Sequence, residues 1–128
     1  MKYLLDTHLL LWASTNSVRL PSGAAAIIAN RDNQLWMSVI SLWEVAIKNA
    51  QRKPDFPYEP EQLRMGLLMN GYEELKMESR HVLALKNLPR THTDPFDRLL
   101  VSQAITEGMF FLTADRKLSG YGARVILV

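Results

Sequence analysis

Five acids stand at positions where an ordinary surface carboxylate has little reason to be. Asp6 closes the apolar run of MKYLLDTHLLLW, between two segments that both ask for burial. Glu44 sits in SVISLWEVAIKNA with Ile40 four residues before it and Ile47 three after, on one helical face that Trp43 and Ala50 extend. Asp94 and Asp97 fall in THTDPFDRLL, and Asp115 follows MFFLTA. Each has a structural alternative. Asp6 could cap a short helix starting at Thr7, and Asp94 could cap one starting at Pro95. Asp97, three residues after that cap, could return a hydrogen bond to it. Glu44 could pair with Lys48 one turn on, and Asp115 could be a turn aspartate. Thr113 beside it supplies a hydroxyl or merely finishes a strand.

Gathered at one place, Asp6, Glu44, Asp97 and Asp115 have a defined chemistry. Ionised carboxylates a few Å apart repel, so some stay protonated at neutral pH unless a cation lies among them. All-oxygen ligands select a hard cation, Mg²⁺ or Mn²⁺, over zinc. Such an ion can hold a phosphodiester oxygen, acidify water and steady a leaving oxygen.

The elements that would gather them are legible as patterns. YLLD, LWMS, MFFLTA and RVILV read as short apolar strands, and GYEELKM as a further one. PSGAAAIIANR reads as a helix with Pro21 in its first turn, and SVISLWEVAIKNAQ as one that the three prolines of KPDFPYEP end. EQLRMGLLMN, ESRHVLALKNL and DPFDRLLVSQAITEG read as three more, the last bounded by Asp94, Pro95 and Gly108. The paired methionines and leucines of RMGLLMNG suit core packing, with a partner surface as the sharper alternative. Uniformly apolar strands alternating with helices predict an α/β fold, a three-layer α/β/α sandwich with a central parallel sheet. In open parallel sheets ligands bind beyond the carboxyl ends of strands, where Asp6 and Asp115 fall.

At 128 residues the chain is expected to form one domain over 1–128. Its 48% hydrophobic and 22% charged residues fit an ordinary globular protein, and no apolar run reaches the ~18 residues of a membrane span. Asp6 and His8 interrupt what could pass for a signal peptide. The absence of cysteine removes disulfides and thiolate metal sites and fits a reducing cytoplasm. Net charge is +2, but thirteen acids less the five singled out leaves eight against fifteen lysines and arginines. A basic exterior around an acidic site suits a polyanion, although scattered solubilising charges give the same count.

The segments LLDTHLLLW, SVISLWEVAIK, HTDPFDRLLVSQA and FLTAD, in this order, resemble the PIN-domain family, and among its members the VapC-type toxins of bacterial toxin–antitoxin pairs. The similarity runs from Lys2 to Val128. It implies a Mg²⁺- or Mn²⁺-dependent endoribonuclease whose metal-binding acids are Asp6, Glu44, Asp97 and Asp115. Water would attack phosphorus in line, leaving 5′-phosphate and 3′-hydroxyl ends. It also implies a homodimer and a small antitoxin whose tail covers the acidic pocket, while the expected cytoplasmic location rests on the absence of cysteine. Thr7, Lys48, Arg98, Thr113 and Arg116 are adjacent to the acids and are candidate RNA contacts, or else ordinary structural and ion-pair residues. Asp94 is a cap that could also bind metal through water. His8, where many relatives carry a small polar residue, is expected to be packed or hydrogen-bonded rather than a ligand.

Two rivals come from other classes. A phospho-receiver module needs an aspartate at the end of its third strand, which YEELKM lacks, and a haloacid-type phosphatase needs a second aspartate where His8 stands. A catalytically idle PIN fold, kept for binding RNA or a partner, is disfavoured by the presence of all four acids.

Overall fold

A computed structural model describes residues 1–90 and 94–128 of the chain. Five strands, β1 (Lys2–Leu5), β2 (Gln34–Ser38), β3 (Glu73–Leu75), β4 (Phe110–Thr113) and β5 (Val125–Leu127), lie in the order β3-β2-β1-β4-β5. Every pairing is parallel. The connections carry α1 (Thr7–Ser14), α2 (Ser22–Ala29), α3 (Val39–Ala50), α4 (Pro60–Met69), α5 (Ser79–Leu83) and α6 (Pro95–Glu107).

The two-residue period of the strands sorts their side chains into two cores. Tyr3, Leu5, Met37 and Leu112 pack on one face with Leu9 and Leu10 of α1, Ala24 of α2 and Leu63 and Leu67 of α4. Leu4 and Phe111 pack on the other with Leu99, Leu100 and Ala104 of α6. Burial on both faces explains why the strands are apolar without alternation, and it produces the expected three layers.

Local chemistry departs from expectation at four places. Pro21 precedes α2 in extended conformation (φ −60°, ψ 146°) rather than lying within its first turn. The fixed proline φ serves a cap as well as a first turn, and here ψ decides it. α3 ends at Ala50, ahead of the prolines, and Pro60 instead begins α4. The expected ESRHVLALKNL helix divides into α5 and a 3₁₀ turn over Ala84–Asn87. In α4 the core takes Leu63 and Leu67, while Met65 and Met69 remain 63% and 80% exposed. The methionines of RMGLLMNG are therefore surface residues. No helix of the described residues is long and apolar enough to cross a membrane.

What positions the site is the strand order. From β1 the chain steps outward through β2 to β3, then crosses back to lay β4 on the other side of β1. The carboxyl ends of β1 and β4 thus flank a switch point, the place where parallel sheets leave a crevice. α6 points its N-terminus, capped by Asp94, at that crevice, and ends at the opposite end of the strands in Gly108, in left-handed conformation (φ 70°).

Candidate functional site: an acidic cleft at the switch point

Asp6 is the first residue past β1. Its backbone N–H donates to Leu112 O at 3.0 Å, carrying the β1–β4 ladder one step further. Its Oδ1 accepts from Leu9 N at 3.0 Å, so it does cap α1. Its Oδ2 accepts from the Thr113 hydroxyl at the end of β4. The two readings of Asp6 are thus compatible: the hydrogen bonds that make it a cap fix the carboxylate at the floor of the crevice. Burial pushes its carboxyl above the ordinary carboxylate range, with the Thr113 and Leu9 hydrogen bonds pulling against it and the Glu44 charge adding to it.

Glu44 is only 5% exposed. Its Oε1 accepts from the Thr7 hydroxyl at 2.7 Å and its Oε2 from Lys48 Nζ at 3.0 Å. Thr7 Oγ1 also lies 3.0 Å from Ser41 Oγ. The apolar stripe expected around Glu44 is only partly buried. Ile40 is inside, but Trp43 and Ile47 are 50% and 40% exposed, and the inward face is completed by Ser41 and Val45. Trp43 packs edge-on against Phe96 of α6 at 4.8 Å, linking the two helices that carry Glu44 and Asp97.

On α6, Asp94 Oδ1 accepts from Phe96 N at 2.8 Å and Asp97 N at 3.1 Å. Asp97 is the third helical residue, with Leu100, Val101 and Ala104 buried beneath it as its spacing predicts. Thr91, His92 and Thr93 of the same segment lie outside the described residues. Asp115 N donates to Thr113 Oγ1 at 3.0 Å, and its own Oδ1 caps a 3₁₀ turn over Arg116–Tyr121 by accepting from Lys117 N at 3.0 Å.

These side chains face one another. A cleft of about 230 Å³ is lined by Asp6, Thr7, His8, Glu44, Lys48, Asp94, Asp97, Asp115 and Lys117. Five carboxylates are thus set against two lysines, in a pocket at the mouth of a parallel sheet. The sequence matches the family model for the PIN domain over residues 3–123. The chain belongs to the PIN-domain family. It is similar to Ribonuclease VapC22 of Mycobacterium tuberculosis (strain ATCC 25618 / H37Rv), at 28% identity over 129 residues, 92% of this chain and 90% of that protein. Two solved structures share its fold. One is VapBC2 from Rickettsia felis bound to a DNA fragment from their promoter, with TM-score 0.69, 20% identity, and coverage of 100% of this chain and 98% of that one. The other is VapBC-1 from nontypeable Haemophilus influenzae, with TM-score 0.60, 22% identity, and coverage of 91% and 89%.

Not every residue singled out in the sequence reaches the cleft of this PIN domain. Arg98 turns away: its guanidinium donates to Pro89 O at 2.8 Å and Tyr121 Oη at 3.1 Å, so it fastens α6 to the loops beside it. Thr113 lies beneath the cleft and acts on Asp6. Arg116 is exposed and does not line it; Lys117 does. The segment LTADRK reads as a plain turn, and only the 3₁₀ conformation after Asp115 selects the second basic residue over the first. His8 also differs from expectation. It is exposed at the cleft, its ring 5.8 Å from Trp12, because α1 turns it outward while burying Leu9, Leu10 and Leu11. The receiver alternative finds no support, since β3 ends at Leu75 with no acid there.

Among the described residues, the metal-ligand atoms that converge within 4.8 Å of one another belong to Glu78, His81 and Glu107, at the far end of α6 from Asp97. Their hydrogen bonds argue against a metal. His81 Nδ1 accepts from Glu78 N at 3.0 Å and faces Gln103 Nε2 at 3.3 Å. The ring proton must then sit on Nε2, which donates to Glu107 Oε2 at 2.8 Å. Arg80 also bonds Glu107, supplying a cation already. An ion would have to strip Nε2 of its proton and displace Arg80. The triad is a pin between α5 and α6. His81→Ala is expected to lower stability by about 2–4 kcal/mol through the cavity and the orphaned groups, with cleft activity retained below the melting transition. Denaturant unfolding of the variant, with zinc added to the wild type as the control that leaves melting unchanged, checks both halves.

Proposed function

We propose that this PIN domain is a Mg²⁺- or Mn²⁺-dependent endoribonuclease and the toxin of a VapBC-type pair. The observation that carries the reading is the cleft itself, in which five carboxylates and two lysines meet at the sheet's switch point. The likeness to a VapC ribonuclease and to VapBC complexes supports it.

The donor set fits a hard divalent ion. Asp6, buried and held by two hydrogen bonds, offers its remaining lone pairs to the cleft, and Glu44, Asp97 and Asp115 complete an all-oxygen set. A set drawn from separate elements around an open cleft suits an ion that keeps several of its waters. When bound, the ion supplies charge neutralisation at the phosphate and a more acidic water. The chain's own residues do the rest. Thr7 and Lys48 hold the Glu44 carboxylate in one orientation, and Thr113 does the same for Asp6. A cleft carboxylate takes the proton of the attacking water as its oxygen bonds to phosphorus. The P–O3′ bond breaks, and the 3′-oxygen takes a proton from solvent water to leave as a hydroxyl.

Lys48 is engaged by Glu44, whereas Lys117 makes no ion pair among the described residues. Lys117 is the cleft cation available to a phosphate. Lys117→Ala is expected to raise KM roughly 10-fold or more, to flatten the salt dependence of RNA binding by about 0.7 in log–log slope, and to tighten Mg²⁺ binding by removing a like charge. Titrations of RNA and of Mg²⁺ distinguish this from unfolding, which weakens both.

The defining experiment incubates the protein with Mn²⁺ and end-labelled RNA. Fragments with 5′-phosphate and 3′-hydroxyl ends are expected, and a 2′-deoxy substitution at the cut site is expected to be tolerated. Cyclic 2′,3′-phosphate ends would overturn the mechanism. A small antitoxin covering the cleft, a homodimer and a cytoplasmic location belong to the same reading, and the exposed Trp43, Met65 and Met69 offer surface for such contacts.

A further inference from the structure

The segment between α3 and α4 builds a second cleft against the first. α3 ends at Ala50, and Arg52 adopts a left-handed conformation (φ 52°) that L side chains rarely take, turning the chain sharply back. Phe56 N then donates to Lys53 O at 3.0 Å, closing a turn, and Asn49 Nδ2 donates to Tyr58 O at 2.8 Å, tying the loop to the helix. Pro54 and Pro57 stiffen what lies between. The result is a cleft of about 230 Å³ lined by Lys48, Gln51, Lys53, Asp55 and Phe56.

Lys48 belongs to both clefts. Its ammonium lies 3.0 Å from Glu44 Oε2 on one side and 5.7 Å from the centre of the Phe56 ring on the other. A polymer whose phosphate rests among the acids can lay its next residue beside Lys48. What it meets there is chemically mixed: an aromatic ring set edge-on to Tyr58 at 5.1 Å, the exposed Lys53, which makes no ion pair among the described residues, the amide of Gln51, and the carboxylate of Asp55, which steers a phosphate toward Lys53 and away from itself. A ring for stacking, an ammonium for phosphate and an amide for a base edge are groups that bind an unpaired nucleotide. A paired base has both faces covered by its neighbours and cannot use the ring.

The geometry points to this second cleft as a nucleotide subsite adjoining the scissile phosphate, one that selects RNA single-stranded at that position. Phe56 stacks the base and Lys53 contacts the phosphate. The inference rests on the nuclease reading for its neighbour, although the subsite can be tested without cleavage.

The experiment measures metal-free binding of a labelled single-stranded RNA decamer by fluorescence anisotropy, with a hairpin-closed duplex of the same sequence as comparison. Phe56→Leu is expected to weaken single-strand binding roughly 10-fold and Phe56→Tyr to keep it. Lys53→Ala is expected to weaken it and to flatten the salt dependence by about 0.7. Duplex binding is expected to be unchanged in all three. Because Phe56 also packs on the core, its melting temperature is measured alongside; Lys53 is exposed, so its variant carries the test if Phe56→Leu unfolds. Wild-type affinity for the single strand in both Phe56→Leu and Lys53→Ala overturns the subsite. If those variants lose binding but the wild type cleaves no RNA with Mn²⁺, the nuclease reading fails and the subsite stands.

Discussion

Asp6→Asn is expected to lower RNA cleavage by about 10³-fold while leaving the metal-free protein as stable as the wild type, or more so. The two halves come from the same carboxylate. An electrostatic contribution of roughly 4 kcal/mol to a phosphoryl transition state corresponds to about three decades in rate. Asparagine keeps the shape and an oxygen for the Leu9 N–H but surrenders the charge. The wild-type protein, by contrast, carries at a 6% exposed site a carboxyl whose ionisation is opposed by burial and by the Glu44 charge. The variant is relieved of that opposition. The offsetting cost is small: the new amide faces the Thr113 hydroxyl, which already accepts from Asp115 N and must find another acceptor for its own proton. Most substitutions of buried polar groups reduce activity and stability together. A dead variant whose melting temperature matches or exceeds that of the metal-free wild type is the signature of a functional anion held against the fold's preference. Full cleavage by Asp6→Asn, or loss of both activity and fold, would remove Asp6 from the proposed centre.

At Asp6 and Asp94 a capping role, and at Asp115 a turn role, does not exclude a place in the cleft, so sequence alone could not choose between the two. All three accept backbone N–H groups at the start of a helix or 3₁₀ turn, and all three line the cleft. A cap fixes a carboxylate at the positive end of a helix, and here those ends converge on one crevice. The four apolar strands, the parallel sheet and the acids at strand ends were legible because burial on both faces leaves a pattern in composition alone. What was not legible depended on single dihedrals or on pairing across long separations. Arg98 is one residue from Asp97, yet three residues per 3₁₀ turn and 3.6 per α-helix send it to Tyr121 while Lys117 comes forward. The Thr7–Glu44 hydrogen bond joins residues 37 apart in sequence, and nothing local announces it. Trp43 extends the apolar stripe of the Glu44 face in the sequence, but it rests on Phe96 with half its surface exposed, where packing between α3 and α6 settles the matter.

Withdrawing divalent metal is expected to abolish cleavage and to lower the melting temperature at neutral pH, by an amount that shrinks as the solution is acidified. Below the ordinary carboxyl value of 3.8, Asp6 is protonated in both the folded and unfolded chain and contributes nothing. Above 3.8 the unfolded chain releases that proton, while the folded protein, with its Asp6 pushed up by burial, retains it. Folding then takes up a proton, so stability declines as pH rises through this window. Once pH exceeds the folded value, the decline is complete and the buried charge opposes folding by a constant amount. A cation bound by that carboxylate relieves the opposition, and only where the carboxylate is ionised. Mg²⁺ or Mn²⁺ at about 100 times its dissociation constant stabilises by about 2.7 kcal/mol, or roughly 8–10 °C for a chain of this size. At pH 7.5 that rise should be present in the wild type and absent in Asp6→Asn, and it should fade in the wild type as protons displace the ion at acid pH. Calorimetric scans across pH 4–8, with and without metal, are sufficient. A rise that persists unchanged to pH 4, or that survives in Asp6→Asn, would place the ion somewhere other than on the Asp6 carboxylate.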